Sequence, residues 1–498
     1  MSKSAWLSET ALLIYIALAT VIVHWITGHQ YGFQRDELAT LEDSRHLDWG
    51  FVAYPPITPF FGRLSLILFG TSLAGFRFFA AVAEAIAVVL TGLMAREMGG
   101  GRAAQLIAAA AAIPFCLAGG AMMQYVSFDY LFWVLAAYFV VKLLKTEDPC
   151  WWLGIGAAIG FGLESKYTMG FFAIAIAAAT LLTDARRYFK SKWLWYGVGL
   201  SILIFLPNLI WQTRNHFISL DFLQHIHARD VRIGRAKNFL PEQLKLTLGG
   251  IFLALAGLYF TLFSRHGKRC RMLAWMYLIP FALFIVAKGR AYYLAAAYPM
   301  LYAAGSVWLE QMSTRAGSVA RNAIRALPWV VLVADVAIMG SITLPIAAAD
   351  SPWATRAMKI NEDYREEIGW PELVETIAKV RDALPAEDRA HFGILAGNYG
   401  EAGAVNLYGP AYGLPPVISG VNSFWQKGYG DPPPQTLIVV GRDLDELQDH
   451  FASCRLAAHT WNGFHVLNEE TRAHPNIFVC RTLLQPWPEY WKTARHFG

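Results

Sequence analysis

The chain has 498 residues, of which 55% are hydrophobic and 16% are charged. A soluble domain averages about 45–50% apolar and about 25% charged residues. The 42 basic and 37 acidic residues give a net charge of +5. This composition excludes a disordered chain, a basic nucleic-acid-binding protein and an ordinary cytosolic enzyme, so no nucleic-acid partner is expected.

Apolar segments follow one another through the first 349 residues. A membrane-spanning helix needs about 20 apolar residues, and a soluble core does not supply so many such stretches in succession. The chain is therefore predicted to form an all-α polytopic membrane bundle of about 11 helices, or one fewer if the fifth and sixth segments form one broken helix. The predicted spans are 11–28, 72–95, 103–121, 128–145, 151–165, 167–183, 193–211, 245–263, 272–287, 291–309 and 326–347.

The lysines and arginines predict how the bundle is oriented. They concentrate in one set of alternate loops, and cytoplasmic loops are the ones that carry an excess of cations. The amino terminus is then cytoplasmic, and an odd number of spans places the carboxyl terminus outside. The outer loop at 212–242 is an exception because it carries four arginines and three histidines. Such a loop indicates either contact with an anion near the bilayer surface or a solvated loop that tolerates charge.

Residues 350–498 differ in composition from the segments before them. Short apolar runs alternate with helical patterns and Gly/Pro-rich turns, as in "QTLIVVG" followed by "DLDELQDHF". Alternating strands and helices predict a small α/β layer domain. The chain thus divides into a membrane domain, 1–349, and an extracytoplasmic soluble domain, 350–498. Cys454 and Cys480 lie in or beside predicted strands, and both a disulfide and two free thiols remain open for them.

Charged groups recur at the predicted outer ends of the spans. Asp36 and Glu37 follow the first span, and Asp129 lies at the outer start of the fourth. Adjacent carboxylates at a membrane boundary are costly without a function, and one of them would serve as a general base or a cation ligand. Lys288 and Arg290 lie between two spans at the same depth. Carboxylates beside cations indicate a site where an alcohol or amine attacks a group carried on a phosphate.

Each of these groups also has an alternative explanation without function. Asp129 complements a helix dipole at its position, and the charges around Asp36 fit a solvated surface helix. Lys288 and Arg290 fit side chains that reach the membrane interface, where tyrosines form an aromatic belt. Their common depth favours a shared site over these separate explanations.

Five motifs in order resemble those of a known family: Asp36-Glu37, "YPPIT", "SFDYLF", "ESKY" and "AKGRAYYLAAAYP". The chain resembles the polyprenyl-phosphate-sugar glycosyltransferases of the GT-C fold. Within them it is similar to the bacterial branch of the protein O-mannosyltransferase superfamily, which includes the lipid A aminoarabinose transferase and the RgtA/B/C/D-like enzymes. The resemblance implies an inverting enzyme of the bacterial cytoplasmic membrane. Its donor would be a sugar on a polyprenyl phosphate such as undecaprenyl phosphate, and its acceptor a glycolipid, a glycan or a protein.

The resemblance also implies roles for individual residues. Asp36 matches the first-loop Asp regarded as catalytic, Glu37 is its neighbour, and Asp129 matches an essential Asp of the second outer loop. Four positions match contacts to the lipid phosphate, namely Arg45, His225, Arg229 and Lys288, and Lys166 matches a lysine of the site wall. The predicted substrate-binding set also includes Tyr54, Arg290, Tyr292 and Tyr293, which lie beside these motifs.

A metal and a second function class remain open. In the aminoarabinose transferases an acidic–basic pair precedes the first-loop proline, and its Glu ligates a metal. Ala53 and Tyr54 stand before Pro55 here, so that metal site is not expected, while a divalent cation held by Asp36 and Asp129 stays an alternative. A lipid or sugar-lipid transporter is the rival class, because transporters also place charges in apolar bundles. The clustering of the charges at one face favours the enzyme.

Overall fold

The computed structural model of the protein describes residues 8–498. Within that range, helices fill the chain up to Thr343, and a four-stranded sheet lies in the region that follows. The helices of the first part are α1 (Glu9–Thr27), α2 (Arg35–Arg45), α3 (Ile57–Phe69), α4 (Leu73–Glu97), α5 (Arg102–Gly119), α6 (Tyr125–Thr146), α7 (Trp151–Leu163), α8 (Met169–Leu182), α9 (Lys192–Arg214), α10 (Ile218–Arg232), α11 (Phe239–Thr247), α12 (Gly250–Phe263), α13 (Arg271–Val286), α14 (Tyr298–Arg315) and α15 (Ser318–Thr343).

Seven helices in the described part of the chain are long and apolar enough to cross a membrane: α1, α4, α5, α6, α9, α13 with the short turn before it, and α15. Two pairs that bend by 104° and 101° raise the number to nine if each is one span: α8 with Asp184–Lys190, and Arg235–Thr247 with α12. Every predicted span overlaps a helix. The all-helical membrane bundle is therefore confirmed, while the count of 11 spans stays a prediction, because α7 has only 13 residues.

Small residues let the bundle helices approach one another closely. Gly257 of α12 and Gly305 of α14 lie where these two helices cross. A Cβ atom on Gly257 would come within 2.1 Å of the carbonyl oxygen of Leu301, and one on Gly305 within 2.0 Å of that of Leu253. Close backbone contact through glycine is a usual means of helix association in membranes, where hydrophobic burial drives little association.

Helix α2 is a polar helix that follows the first span, and a capping box determines where it begins. The Gln34 side chain accepts a hydrogen bond from the backbone N–H of Asp36 at 2.6 Å. The Glu37 carboxylate accepts one from the backbone N–H of Gln34 at 3.0 Å. Two orphan donors of the first turn are satisfied in this way. Consecutive helical residues point about 100° apart, so Asp36 and Glu37 face different surroundings.

The region after Thr343 forms the predicted small α/β domain, called the tail below. Its sheet has the order β1-β2-β4-β3, with β1 parallel to β2 and the other pairs antiparallel. Its elements are α16 (Pro352–Ile360), α17 (Trp370–Asp382), α18 (Ala386–Ala390), β1 (Phe392–Ala396), α19 (Tyr399–Tyr408), α20 (Asn422–Trp425), β2 (Thr436–Val440), α21 (Leu444–Gln448), β3 (Phe451–His459), α22 (Glu469–Arg472), β4 (Asn476–Leu483) and α23 (Trp487–Ala494).

The two tail cysteines are bonded to each other. Cys454 of β3 and Cys480 of β4 are partners in the antiparallel register and form a disulfide. Of the two alternatives that the sequence left open, the structure has the disulfide. It connects an edge strand to the strand beside it.

The tail packs against α2 through a continuous apolar core. A Cβ atom on Gly403 of α19 would come within 2.7 Å of the Leu38 side chain, and one on Gly400 within 2.8 Å of Arg35 Cβ. Leu38 shares one buried cluster with Trp370 of the tail. The tail and the membrane part are therefore joined by close packing at the surface where α2 presents its carboxylates.

Candidate functional site

A cavity of about 520 Å³ lies where α2, α10, the loop before α8, the loop after α13 and the tail meet. The predicted site residues that line it are Asp36, Tyr54, Lys166, Arg229, Lys288, Arg290 and Tyr293. One part of the wall is apolar and contains Phe171, Phe222, Leu223, Ile226 and Phe284. The cavity thus combines carboxylates, cations and a hydrophobic surface, which is the composition of a site for an amphipathic anionic ligand.

Asp36 lies on the cavity wall, and both of its carboxylate oxygens accept a hydrogen bond. The Tyr399 hydroxyl donates to Oδ1 at 2.8 Å, and Gln124 Nε2 donates to Oδ2 at 3.0 Å. Both donors are neutral, so they orient the carboxylate and leave its negative charge for an incoming group. Asp36 therefore has the position and the orientation that a general base needs.

Glu37 points away from the cavity into a buried ion pair. Its carboxylate accepts hydrogen bonds from Arg77 at 2.6 Å and from the backbone N–H of Met123 at 2.9 Å, besides the bond within the capping box. Arg77 also lies 3.4 Å from a carboxylate oxygen of Glu367 in the tail. This geometry favours a structural role for Glu37 over the predicted catalytic one, because its oxygens join α2 to α4 and to the loop before α6, while Arg77 contacts the tail.

Asp129 is buried one layer behind the cavity wall. It accepts hydrogen bonds from Trp133 Nε1 at 3.0 Å and from the Thr168 hydroxyl at 2.9 Å. Thr168 lines the cavity, whereas Asp129 is not part of the lining. The structure therefore places Asp129 as a support for the loop that carries Lys166, and not among the groups that face the cavity.

Lys166 is held by aromatic rings. Its ammonium nitrogen lies 4.5 Å from the ring centroid of Tyr125, 4.8 Å from that of Tyr292 and 4.2 Å from that of Tyr293. Cation–π attraction of this kind stabilises an ammonium group without neutralising it. Tyr293 lines the cavity, whereas Tyr292 stands outside the lining and serves the ring cage.

An unpredicted carboxylate organises the arginines of the site. Asp230 is buried, and its oxygens lie 2.5 Å from Arg290 Nε, 3.5 Å from Arg235 and 3.9 Å from Arg229. One carboxylate therefore accepts hydrogen bonds from Arg290 and Arg235, lies near Arg229, and offsets part of the charge of all three. The available sequence signal was the acidic residue directly after Arg229 in the basic loop. The sequence analysis considered only the cations and the histidines of that loop.

Lys288 lies outside both the Asp230 ion pairs and the ring cage of Lys166. It lines the cavity, its side chain is exposed, and its backbone φ is 49°. A left-handed conformation costs about 1–3 kcal/mol for a residue other than glycine and recurs at functional sites. The loop therefore keeps Lys288 in an unfavourable backbone conformation beside the cavity.

Two predicted phosphate contacts lie outside the cavity lining. Arg45 donates a hydrogen bond to the carbonyl oxygen of Asn406 at 3.1 Å and so fastens the end of α2 to the tail. His225 is exposed, and its ring centroid lies 5.7 Å from that of Phe497. His227, two residues further along α10, lines the cavity instead. Residues two apart on a helix point in different directions, which explains the difference.

A second carboxylate of α2 lines the cavity and was not predicted. Asp43 lies two helical turns after Asp36 and therefore on the same face. The Tyr54 hydroxyl donates a hydrogen bond to Asp43 at 2.8 Å. Burial raises the pKa of Asp43 to about 7, although this hydrogen bond and the charge of Lys427 oppose the rise. The spacing of seven residues from Asp36 was the available sequence signal.

Asp36 and Asp129, which the sequence analysis considered as holders of a divalent cation, have separate hydrogen-bond partners. Among residues 8–498, no group of three or more His, Cys, Asp or Glu side chains is arranged to hold one. Asp36 is bonded to Tyr399 and Gln124, while Asp129 is bonded to Trp133 and Thr168. Asp36 lines the cavity and Asp129 does not, and a divalent cation held by these two residues stays a prediction.

The tail supplies part of the cavity wall, which sequence reasoning missed because it treated the tail as a separate domain. The lining residues from the tail include Tyr399, Asn422, Ser423 and Phe424. Their distance from Asp36 along the chain exceeds 350 residues, and no local pattern marks them.

Comparison with known proteins identifies relatives of this chain. The family described as dolichyl-phosphate-mannose-protein mannosyltransferase matches residues 53–211. Two curated relatives from Pseudomonas fluorescens are each named undecaprenyl phosphate-alpha-4-amino-4-deoxy-L-arabinose arabinosyl transferase 1. The protein of strain Pf-5 is 25% identical over 267 residues, which cover 49% of this chain and 48% of the relative. The protein of strain Pf0-1 is 24% identical over 271 residues, covering 50% and 47%. The chain spans about half the length of the curated relatives it matches.

Two solved structures resemble the whole chain. Both are of ArnT from Cupriavidus metallidurans, one bound to undecaprenyl phosphate and one in the apo state. The bound form has a TM-score of 0.57 and 16% identity and covers 97% of this chain and 99% of that one. The apo form has a TM-score of 0.56 and 16% identity and covers 96% and 98%. The GT-C fold is thus confirmed, and so is the resemblance to the ArnT and protein mannosyltransferase type.

Proposed function

We propose that this protein is an inverting glycosyltransferase that takes its sugar from a polyprenyl-phosphate donor at the outer face of the cytoplasmic membrane. One observation carries the proposal: a single cavity joins an oriented carboxylate, several cations and an apolar wall. The donor has three matching parts, which are a reactive sugar carbon, a phosphate and a hydrocarbon chain. The acceptor is an envelope glycolipid, glycan or protein.

The relatives support this class of donor. The curated relatives are named as undecaprenyl phosphate arabinosyl transferases, and a solved ArnT structure is bound to undecaprenyl phosphate. We infer a lipid phosphate of the same class for this chain. None of the relatives named above is a transporter, so the transporter alternative gains no support from them.

The proposed transfer is a single displacement at the anomeric carbon of the donor sugar. Asp36 removes a proton from the acceptor hydroxyl or amine as its oxygen or nitrogen attacks the anomeric carbon. A new bond forms at that carbon, the bond to the phosphate oxygen breaks, and the electron pair leaves with the lipid phosphate. Attack and departure on opposite sides invert the carbon. No covalent intermediate between the sugar and the enzyme forms.

The leaving lipid phosphate is already anionic, so it needs cations more than it needs a proton. Lys288 and Arg290 line the cavity from the loop after α13, and Arg229 lines it from α10. Fixed positive groups aimed at a developing negative charge stabilise the transition state most in a site with little water. The apolar wall around Phe171 and Phe284 accommodates the first part of the polyprenyl chain.

The orientation and the domain division belong to the same proposal. The amino terminus lies in the cytoplasm, the membrane domain spans 1–349, and the domain 350–498 is extracytoplasmic. The disulfide between Cys454 and Cys480 supports this orientation, because disulfides persist in oxidising compartments. Cys150, in a predicted cytoplasmic loop, is a free thiol.

A labelling experiment tests the orientation with an internal control. Pro433 of the tail and the native Cys150 are both exposed. In a Cys150→Ser, Cys270→Ser background, we expect Pro433→Cys to react with a membrane-impermeant maleimide in intact spheroplasts. In the control protein, which has no substitution, Cys150 should react only after lysis. The opposite pattern would reverse the topology and, with it, the side on which the reaction occurs.

A transfer assay tests the function. Purified protein reconstituted in lipid vesicles is mixed with an envelope extract from cells that lack the gene and that were grown on radiolabelled sugars. The extract supplies labelled polyprenyl-phosphate sugars and acceptors. We expect the wild-type protein to move label from the polyprenyl-phosphate fraction to an acceptor. Movement of label between vesicle leaflets without transfer would contradict the proposal and favour a transporter.

A further inference from the structure

The tail contributes a hydrogen-bond donor to the carboxylate proposed as the base. Tyr399 is the first residue of α19, and its hydroxyl donates to Asp36 Oδ1 at 2.8 Å. The only other side-chain donor to this carboxylate among the described residues is Gln124, which lies just before α6. Half of the hydrogen bonding that orients Asp36 therefore comes from an element 363 residues away in the chain.

We propose that Tyr399 is a positioning residue for Asp36. The membrane part alone then supplies one of the two side-chain donors that orient the Asp36 carboxylate, and docking of the tail supplies the other. This inference rests on the proposed function, because it assigns Tyr399 a part in the reaction that Asp36 starts. It gives the tail a task at the reacting centre beyond covering the cavity.

The backbone that carries Tyr399 is held firmly. Asn398 caps α19 by accepting a hydrogen bond from the backbone N–H of Glu401 at 2.9 Å. The Glu401 carboxylate in turn accepts hydrogen bonds from the backbone N–H groups of Asn398 at 3.2 Å and Gly397 at 3.1 Å. A capping box of this kind determines where the helix begins. The hydroxyl of Tyr399 is thus delivered to Asp36 from a fixed position.

The ring of Tyr399 has a separate contact that keeps it in place. The Arg35 guanidinium carbon lies 5.8 Å from the ring centroid, and Arg35 forms an ion pair with Glu469 of the tail. Burial and the neighbouring Asp36 charge raise the pKa of Tyr399 above its usual value, so the phenol stays protonated and can donate. Removal of the hydroxyl alone leaves the ring contact with Arg35 available. The donor function and the packing function of Tyr399 can therefore be separated experimentally.

Loss of this donor has a specific signature. A hydrogen bond donated to a carboxylate stabilises its ionised form, so its removal shifts protonation of that carboxylate to higher pH. In Tyr399→Phe we expect kcat to fall about tenfold with little change in KM for the donor. We also expect the acidic limb of the pH–rate profile to move to higher pH. A purely structural role would lower thermal stability without moving this limb.

The experiment compares Tyr399→Phe with Tyr412→Phe, which removes the hydroxyl of a tail tyrosine that is 40% exposed. Tyr412→Phe should retain the wild-type rate and pH profile. An infrared pH titration supplies a readout that does not depend on turnover: the carboxyl band present in the wild-type protein and absent from Asp36→Asn reports on Asp36 directly. We expect its midpoint to rise in Tyr399→Phe and to stay at the wild-type value in Tyr412→Phe.

The outcomes separate the two proposals. An unchanged midpoint and an unchanged acidic limb in a stable Tyr399→Phe protein would overturn the positioning role. A wild-type protein that fails to transfer sugar would overturn the proposed function. The infrared midpoint still decides whether the tail tunes Asp36 in that case.

Discussion

The two polar sides of the cavity are built in different ways. The acid wall, defined as Asp36 and Asp43, lies on one helix, α2, with a buried ion pair behind it. The cation wall, defined as Lys166, Arg229, Lys288 and Arg290, is assembled from three separate segments of the chain. The acids receive hydrogen bonds from neutral donors. Two of the cations are shared with Asp230, one rests on aromatic rings, and Lys288 is exposed.

This contrast matches what the proposed reaction needs from each side. A base has to be held within a fraction of an ångström of the proton it removes, and a rigid helix with paired donors achieves that. A leaving phosphate is stabilised by all the nearby positive charges together, because the Coulomb energy of each falls off slowly with distance. Substitutions in the acid wall should therefore act nearly all-or-none, whereas substitutions in the cation wall should act in graded steps.

The largest effect is expected for the base. Asp36→Asn should lower the transfer rate by about 10²–10⁴-fold while the protein stays folded, because it removes the proton acceptor and keeps the shape. The radiolabel assay on purified protein measures the rate. The control is Asp221→Asn, an exposed aspartate on α10, which should transfer sugar at the wild-type rate. Wild-type activity in Asp36→Asn would show that Asp36 is not the base.

The next effect concerns the ion pair behind the acid wall. Arg77 bonds Glu37 and contacts Glu367, and all three are buried. Arg77→Met leaves two buried carboxylates without their cation, so we expect it to lower the free energy of unfolding by about 3–5 kcal/mol. Thermal unfolding and protease sensitivity of the tail measure the loss. Arg102→Met, at an exposed arginine, is the control and should change little. Equal stability of the two variants would mean that the pair does not join the tail to the bundle.

Graded effects are expected in the cation wall. Lys288→Met should weaken binding of polyprenyl phosphate by about ten- to a hundredfold, because it removes a charge whose attraction is offset in part by desolvation. Lys288→Arg should weaken binding less, and Arg290→Ala should fall between the two. Thermal stability is recorded alongside binding for each variant.

Lys245→Met is the matched control for this series, because Lys245 is exposed and pairs with Glu242. Its affinity for polyprenyl phosphate should equal that of the wild-type protein. If a stable Lys288→Met protein also bound the lipid with wild-type affinity, the phosphate would not contact Lys288.

The smallest effect concerns Glu470, a buried carboxylate of the tail. Burial, with the charges of Glu401 and Glu366, raises the pKa of Glu470 from 4.5 to about 8. Between these pH values the folded protein keeps a proton that the unfolded chain releases, so stability falls as pH rises through this window. Glu470→Gln removes that dependence and should raise Tm by about 1–3 °C at pH 8 with little gain at pH 4.5.

Melting curves of both proteins at several pH values check this sign. Glu446→Gln, at an exposed glutamate of the tail, is the control and should follow the wild-type curve. A Glu470→Gln variant that loses stability at pH 8 would show that the charged carboxylate has a favourable partner.

The sequence by itself determined the properties that depend on local composition. Long apolar runs predicted the helical bundle, and alternating short elements predicted the α/β tail. Asp36, Lys288 and Arg290 could be predicted because charged residues at the end of an apolar segment are identifiable from the sequence alone. Membrane insertion depends on each segment's own hydrophobicity, so this information is present without knowledge of neighbours.

Only the tertiary structure decided which of these groups share a surface. Asp36 and Glu37 are adjacent in sequence, yet the rotation of about 100° per helical residue sends one to the cavity and the other to Arg77. Asp230 follows Arg229 directly but pairs with Arg290, 60 residues further along the chain, and Tyr399 reaches the acid wall from the tail. Local sequence does not predict which of these distant groups meet. Side-chain direction and long-range docking follow from how whole elements pack, and that packing balances contributions spread over the entire molecule.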